Sequence, residues 1–337
     1  MKTFIVGGTG LLGSASAEEL IRRGHKVRSV ALPPLPKNAV LPAEMELVLG
    51  NYLIMSDYEL LKQLTGCDSL VFAAGVDERI EFQKPVYEKY LQYNVAPVER
   101  LLRLGKQVGI KRAVIMGSYF SYFAKQWPEL KLTQHHPYIR ARMLQEETAL
   151  AFNDLDMAVM ILELPYIFGT QPGRKPVWTF LVEMIKGMKG ATYYTSGGTT
   201  MVTVHQVAQA VAGALEKGQG GTCYPVGWYN KTWKEMLTIF HKAMGMPNRR
   251  ILTIPSFLFR LYGQKLKHGF ESKGIETGLD MVHLADIQTA NTFIDKSIIR
   301  DELGVTEDDI EAAISESIKL CLEAIDGKDA LLEMKAE

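Results

Sequence analysis

Cysteine is scarce: Cys67, Cys223 and Cys321 stand far apart in 337 residues, with no Cys-x-x-Cys spacing. That excludes a disulfide framework and a zinc site, and reads as reduced, mostly buried thiols of a cytoplasmic protein. Net charge is lacking too, because 38 Lys plus Arg balance 38 Asp plus Glu, with a pI near 7.1. Without excess positive charge the chain has no field for gathering phosphates along a groove, so nucleic acid is excluded as the expected partner. No apolar run reaches the ~18 residues of a membrane span. The apolar stretch after Lys2 ends at once in glycines, unlike a signal peptide. Internal repeats and low-complexity segments are absent as well. What remains is ordinary globular composition, 47% hydrophobic and 23% charged, in a length that suggests about two domains.

The first half alternates short β-rich runs with helical patterns, the signature of a parallel sheet covered on both faces. The expected strands are Thr3–Val6, Lys26–Ala31, Met45–Leu49, Ser69–Ala73, Arg112–Met116 and Met157–Leu162. Between them the pattern predicts helices at Leu11–Arg23, Asp57–Leu64, Val86–Val108 and Tyr138–Phe152. Four prolines between Pro33 and Pro42 mark a surface loop. Ser56 with Glu59, Thr203 with Gln206 and Thr232 with Glu235 have capping-box spacing, and each opens a helix. After Gly169 the pattern loosens into Gly- and Pro-bearing loops, including Thr170–Pro176. Thr222–Val226 is expected to return to the first sheet, and a last amphipathic helix covers Asp309–Ile325. The predicted fold class is α/β: a doubly wound parallel sheet of Rossmann type with a smaller C-terminal α+β substrate domain. Residues 1–169 and about 203–227 form the first domain, 170–202 and 228–325 the second, and 326–337 a tail.

Thr3-Phe-Ile-Val6 runs into Gly7-Gly8-Thr9-Gly10-Leu11-Leu12-Gly13 and then a helix. Gly7 permits the tight turn off the strand, Gly10 lets backbone approach a pyrophosphate, and Gly13 lets the helix pack closely. The N–H groups of the first helical turn then bind the anion. This is the signature of a dinucleotide site. About 20 residues on, an acid would suit NAD and an Arg would suit NADP. Val30-Ala31-Leu32-Pro33 offers neither. The cofactor is therefore NADP or NAD, with NADP favoured because no acid repels a 2′-phosphate and Arg28 or Lys37 lies within reach.

The strand Arg112–Met116 ends in Gly117-Ser118, which puts a hydroxyl at the sheet's carboxyl edge. Twenty residues later Pro137-Tyr138-Ile-Arg-Ala-Arg142 opens a helix, and positions four apart share a face. A cation beside a phenol lowers its pKa, which makes Tyr138 a usable acid–base.

With these motifs, over about residues 1–325, the chain resembles the extended short-chain dehydrogenases/reductases, also called the NAD-dependent epimerase/dehydratase family. The resemblance rests on Gly7, Gly10 and Gly13; on Gly50-Asn51, where the family has Gly-Asp near the adenine; and on Ala73-Ala74-Gly75. Asn94, the Gly117-Ser118 strand end, Pro137-Tyr138 and Leu164-Pro165-Tyr-Ile-Phe-Gly169 complete the series. It implies cofactor contacts from Gly7, Thr9, Gly10, Leu11, Leu12, Gly13, Asn51, Tyr52, Ala73, Ala74, Gly75, Tyr138, Arg142 and Pro165. It also implies that Ser118 polarises a carbonyl, that Tyr138 transfers the proton, and that residue 142 holds the nicotinamide ribose and lowers the Tyr pKa. Asn94 would sit at a helix kink near the site, and Pro97 fits such a kink. The family's dimers suggest a homodimer paired through a long helix such as Val86–Val108.

Four departures stand out. The family's Tyr-xxx-Lys is here Tyr138-xxx-Arg142, which keeps the charge but cannot lose a proton. Asn51 replaces an Asp, His205-Gln206 stands where an Asp pair is usual, and Glu163 replaces an Arg. Aromatic residues crowd the carboxyl edge, with Tyr119, Phe120, Tyr166 and Trp178 as candidate substrate contacts. Pro165-Tyr166 replaces the Phe-Asn of sugar-nucleotide epimerases, which points to an apolar alcohol or ketone. Ile251–Gly263, too short to span a bilayer, reads first as a buried or substrate-covering helix, with interfacial membrane contact as the alternative, and His135-His136 as loop residues without a metal.

The leading expectation is an NAD(P)-dependent oxidoreductase acting on a small, fairly apolar substrate. Alternatives are a nucleotide-sugar epimerase or dehydratase, and a non-catalytic NAD(P)-binding sensor.

Overall fold

The computed structural model describes residues 1–35 and 38–327. Seven parallel strands form the main sheet: β1 (Lys2–Val6), β2 (Lys26–Ala31), β3 (Glu46–Leu49), β4 (Ser69–Phe72), β5 (Arg112–Met116), β6 (Ala158–Glu163) and, after an excursion, β10 (Cys223–Pro225). The excursion holds β7 (Tyr166–Phe168), β8 (Ala191–Thr195) and β9 (Gly198–Thr203). In space the sheet runs β10-β6-β5-β4-β1-β2-β3, so its order reverses between β1 and β4. Open α/β sheets bind their ligands at such a switch point, outside the carboxyl ends of the strands. The expectation of a doubly wound sheet holds, including the returning strand.

The inner strands β1, β4, β5 and β6 bury both faces, which explains their apolar runs, while the edge strand β3 is half-buried to exposed. Helix α1 (Leu11–Arg22) and its partner layer cover Ile5, Val71, Val114 and Met160. Helix α2 (Asp57–Leu64) covers the opposite face, where Phe4, Leu70, Phe72 and Ile115 meet Leu60 and Leu64. The two faces alternate along every strand because successive side chains point opposite ways.

The expected single helix Val86–Val108 is broken. Helix α3 (Val86–Tyr90) passes into a π turn at Leu91–Val95 and resumes as α4 (Ala96–Gln107). Pro97 explains the break, because it has no N–H to donate to the turn before it. Next come α5 (Tyr119–Gln126) and α6 (Pro137–Leu150), both leaving the carboxyl edge near β5. Then α7 (Thr179–Gly187) precedes α8 (Val204–Lys217), which packs on α1 and returns the chain to β10. All three capping boxes form in full, at Ser56, Thr203 and Thr232.

Beyond β10, β11 (Tyr229–Thr232) pairs antiparallel with β9, whose other side takes β7 in parallel. Helices α9 (Trp233–Ala243) and, at the far end, Ile310–Ile325 enclose a separate core of Phe168, Trp178, Phe240 and Ile314. Ile251–Gly263 departs from its expectation. It divides at Pro255 into a strand β12 (Arg250–Ile254) and helix α10 (Ser256–Glu271), whose Phe257, Leu258, Leu261 and Tyr262 are exposed. Pro255 lacks the donor that a continuous element would need. The last helix is α11 (Ile310–Ile325).

One charged cluster lies inside the fold. Lys125 of α5 places Nζ 3.0 Å from Glu146 Oε2 and 2.7 Å from Glu163 Oε1, and both carboxylates are buried. Burial, then repulsion by Glu146, pushes Glu163 up to about 7. One lysine cannot balance two buried carboxylates, so the folded protein holds a proton that the unfolded chain releases. The stability this proton confers is complete at low pH and is lost as pH rises through about 7. Glu163→Gln is therefore expected to flatten the dependence of urea stability on pH between about pH 5 and pH 8, with its largest gain at the alkaline end. An unchanged slope in the variant contradicts the shared proton.

Candidate active site

The glycine turn forms as the sequence requires. Gly7 sits at φ +94°, and a Cβ there would lie 2.7 Å from the Ala73 carbonyl oxygen. A Cβ on Gly13 would come within 2.2 Å of Gly7 O, so only glycine lets α1 approach its own entry loop. No side chain caps α1 at Gly10, which leaves the first N–H groups for an anion. Above the turn lies a groove of about 600 Å³. Gly7, Thr9, Gly10, Leu11, Tyr52, Ala73, Ala74 and Gly75 all line it, as do Leu32, Pro33 and Pro34 at the end of β2. Eight of the expected cofactor contacts are thus brought to one surface. This backbone cradle fits a dinucleotide.

The other expected cofactor residues stand apart from that lining. Gly13 packs against the turn, Leu12 packs on the core beneath, and Asn51 uses its Oδ1 to accept from Leu53 N at 3.0 Å. Pro165 separates β6 from β7. Arg28, expected within reach of a 2′-phosphate, instead bonds Glu46 and the carbonyls of Gln63 and Thr65. Its strand position turns it toward β3 and α2, away from the groove. Lys37 lies outside the described residues.

Tyr138, Arg142 and Asn94 meet in one buried network. Arg142 Nε donates to Tyr138 Oη at 2.9 Å, across one turn of α6. Arg142 Nη1 donates to Gln145 Oε1 at 2.8 Å, and Gln145 Nε2 donates to the Asn94 carbonyl at 2.7 Å. Asn94 lies within the π turn at 91–95. Asn94 itself clamps Val76, accepting from its N–H at 2.8 Å and donating to its carbonyl at 2.9 Å. Arg142 Nη2 reaches the same Val76 carbonyl at 3.4 Å, closing the ring. Val76 also lines the groove, so the network ends at the cofactor surface.

The Tyr138 phenol corrects one expectation. Its pKa is raised, not lowered: burial dominates, and Arg142 pulls the other way. The ring is caged by Tyr90 and Phe120, at 5.3 and 6.3 Å between ring centres. Glu78 and Asp77 add negative charge nearby. Ser118 caps α5, and its Oγ accepts weakly from Phe120 N at 3.4 Å.

The four aromatic candidates face the core and do not line the groove. Tyr119 and Phe120 are buried beside Tyr138, while Tyr166 packs at a tilt against Trp178, with ring centres 5.0 Å apart. Trp178 Nε1 donates to the Ile167 carbonyl at 2.9 Å. His136 lies between two helices, as expected, but is fully buried and accepts from Asp280 N at 2.9 Å; His135, expected in a loop, ends a short helix (Leu132–His135) and stacks on His283 at 3.6 Å. Burial pushes His136 down to about 4.

Sequence reasoning missed Gln145, although its place three residues after Arg142 on one helix face was a usable signal. It also missed Arg174. Within the loop Thr170–Pro176, Arg174 lays its guanidinium on Thr9, donating to the carbonyl and to Oγ1 at 3.1 Å each. Arg174 and Lys175 line the groove, and no acidic side chain among the described residues does. Burial lowers the Arg174 pKa, the mark of a cation short of a counter-charge.

Known proteins are similar to this chain in sequence and in fold. The NAD dependent epimerase/dehydratase family matches residues 3–227. A curated relative from Stigmatella aurantiaca, 4-hydroxy-2-methyl-3-oxo-4-farnesyl-3,4-dihydroquinoline-1-oxide ketoreductase, is 24% identical over 66% of this chain and 67% of its own length. A second, the decarboxylating sterol-4-alpha-carboxylate 3-dehydrogenase of Dictyostelium discoideum, is 21% identical over 64% of this chain and 67% of its own. Among solved structures, that of gox2253 is 21% identical with a TM-score of 0.74, covering 98% of this chain and 99% of that one. The match of fold, glycine turn and family pattern over two-thirds of the sequence has one conclusion: the chain belongs to the NAD-dependent epimerase/dehydratase family of extended short-chain dehydrogenases/reductases, and it is an enzyme of that family.

Proposed function

We propose that the protein reduces the ketone of a small, fairly apolar substrate with NADP(H), residues 1–169 and about 203–227 holding the cofactor with the help of Arg174, and residues 170–202 and 228–325 otherwise holding the substrate. The single observation that carries this reading is the 2.9 Å donation from Arg142 Nε to Tyr138 Oη. Because the phenol oxygen accepts from Arg142, its own proton is left to give away. The raised pKa keeps that proton in place near neutrality, which suits an acid that protonates a forming alkoxide. Ser118 Oγ, an acceptor in its own cap, has its proton available for the carbonyl oxygen. Arg142 stays charged throughout, so it steadies the phenolate left behind without taking part in proton relay. A bound nicotinamide supplies the hydride.

The apolar substrate class is supported by the replacement at Pro165-Tyr166 and by relatives whose names denote farnesyl and sterol compounds. The preference for NADP is supported by a groove that carries Arg174 and Lys175 and no acid. Arg174 is then the counter-charge for a cofactor phosphate, a role that Arg28 does not fill.

Tyr138→Phe is expected to lower kcat of ketone reduction by at least about 10²-fold while nucleotide affinity is retained, measured by NADPH oxidation and tryptophan quenching. Unchanged turnover removes Tyr138 from the chemistry. Arg142→Lys is expected to preserve or raise kcat. Arg174→Ala should weaken NADP binding by about 10- to 100-fold, the loss of about 1.5–3 kcal/mol from a charged hydrogen bond, and NAD binding by less. Titration calorimetry with both nucleotides reads the difference, and equal affinities for wild type and variant reject the assignment.

A further inference from the structure

Helix α10 (Ser256–Glu271) is held from one side only. Gly263 approaches Met281 so closely that a Cβ would lie 2.1 Å from its carbonyl oxygen. On the same side Arg260 pairs with Asp286, and Lys267 with Asp280 at 2.6 Å. The opposite side shows Phe257, Leu258, Leu261 and Tyr262, which are 60%, 45%, 58% and 57% exposed. At about 100° per residue these four, with Lys265, fall within an arc of about 140°. They form one outward stripe. The strand that feeds the helix adds Leu252, paired in register with Tyr193 of β8, and both are exposed.

Positive charge predominates around this surface, with Glu271 as the one acid of α10 itself, at its C-terminal end. Residues 236–270 contain no Asp or Glu but six cations: Lys242, Arg249, Arg250, Arg260, Lys265 and Lys267. Residues 184–215, which include β8, also lack acids and carry Lys186 and Lys189. In a chain of zero net charge this is a strong local excess. Asp286 and Asp280 neutralise Arg260 and Lys267 on the packed side, and Asp326 lies 3.8 Å from Lys186. Lys242, Arg250 and Lys265 have no ion-pair partner among the described residues, and Lys265 stands within the apolar stripe.

We propose that this face of α10 docks the protein on an anionic lipid bilayer. An amphipathic helix with Phe and Leu on one side, flanked by Lys and Arg, lies in the interface plane with its apolar stripe among the acyl chains. Its long cationic side chains reach the negative headgroups. The stripe is the convex outside of a single helix and forms no groove, a shape a fluid surface accepts more readily than a folded partner. No helix among the described residues is long and apolar enough to cross a membrane, so contact is confined to one leaflet. The inference stands apart from the reaction proposed above.

The test is co-sedimentation of the full chain with vesicles of phosphatidylcholine containing phosphatidylserine, and with vesicles of phosphatidylcholine alone. Binding is expected only to the anionic vesicles and is expected to weaken with added salt. Phe257→Ser with Leu261→Ser should reduce partitioning at least about tenfold, and Lys265→Glu at least about fivefold. Because all three side chains are exposed, thermal unfolding and NADP binding should match wild type; Lys265→Glu decides the matter if the double variant is less stable. No binding to anionic vesicles, or equal binding by the variants, overturns the proposal. It is overturned as well if wild type sediments as a dimer that the double variant dissociates, which would make a second copy the occupant of the stripe.

Discussion

Arg142 is a guanidinium taken almost wholly out of water, and the geometry around it follows from the need to satisfy its donors. A buried cation of this kind is tolerable only when its N–H groups have acceptors. Here they point to a phenol, an amide oxygen and two backbone carbonyls. The four acceptors belong to three structural devices: Tyr138 and Gln145 to α6, Met116 to the end of β5, and Val76 to the loop after β4. A forked side chain can tie four such points together, and a single ammonium cannot do so in the same geometry.

The irregular 86–107 segment meets the same network. Asn94 lies in its π turn, and Gln145 bridges from the Asn94 carbonyl to Arg142. Asn94, turned toward the sheet by the same irregularity, fixes both backbone groups of Val76. A defect in one helix thereby sets the position of a loop at the cofactor groove.

Much of the sheet was legible because its signals are local and redundant. Apolar runs, glycines at the β1–α1 turn and capping boxes at Ser56, Thr203 and Thr232 each specify structure within a few residues. What escaped reading depends on groups that are distant in sequence. Arg174 meets Thr9 across 165 positions, and nothing in a Gly- and Pro-bearing loop announces where it lands. The rise in the Tyr138 pKa likewise needed the burial supplied by Tyr90 and Phe120. Ile251–Gly263 misled because an apolar pattern reports an amphipathic face but not what that face meets; Pro255 and the packing of Gly263 decided the outcome.

The π turn also constrains which length changes the fold can absorb. Removing one residue from Leu91–Val95 would take out the extra residue of the π turn, but every side chain on one side of the cut would rotate by about 100° relative to the other. Val98, Leu101 and Leu102, now facing the sheet, could no longer do so while Tyr90 kept its place beside Tyr138. The extra residue is thus a phase adjustment between two halves of a helix, one registered to the hydrophobic core and the other to the site.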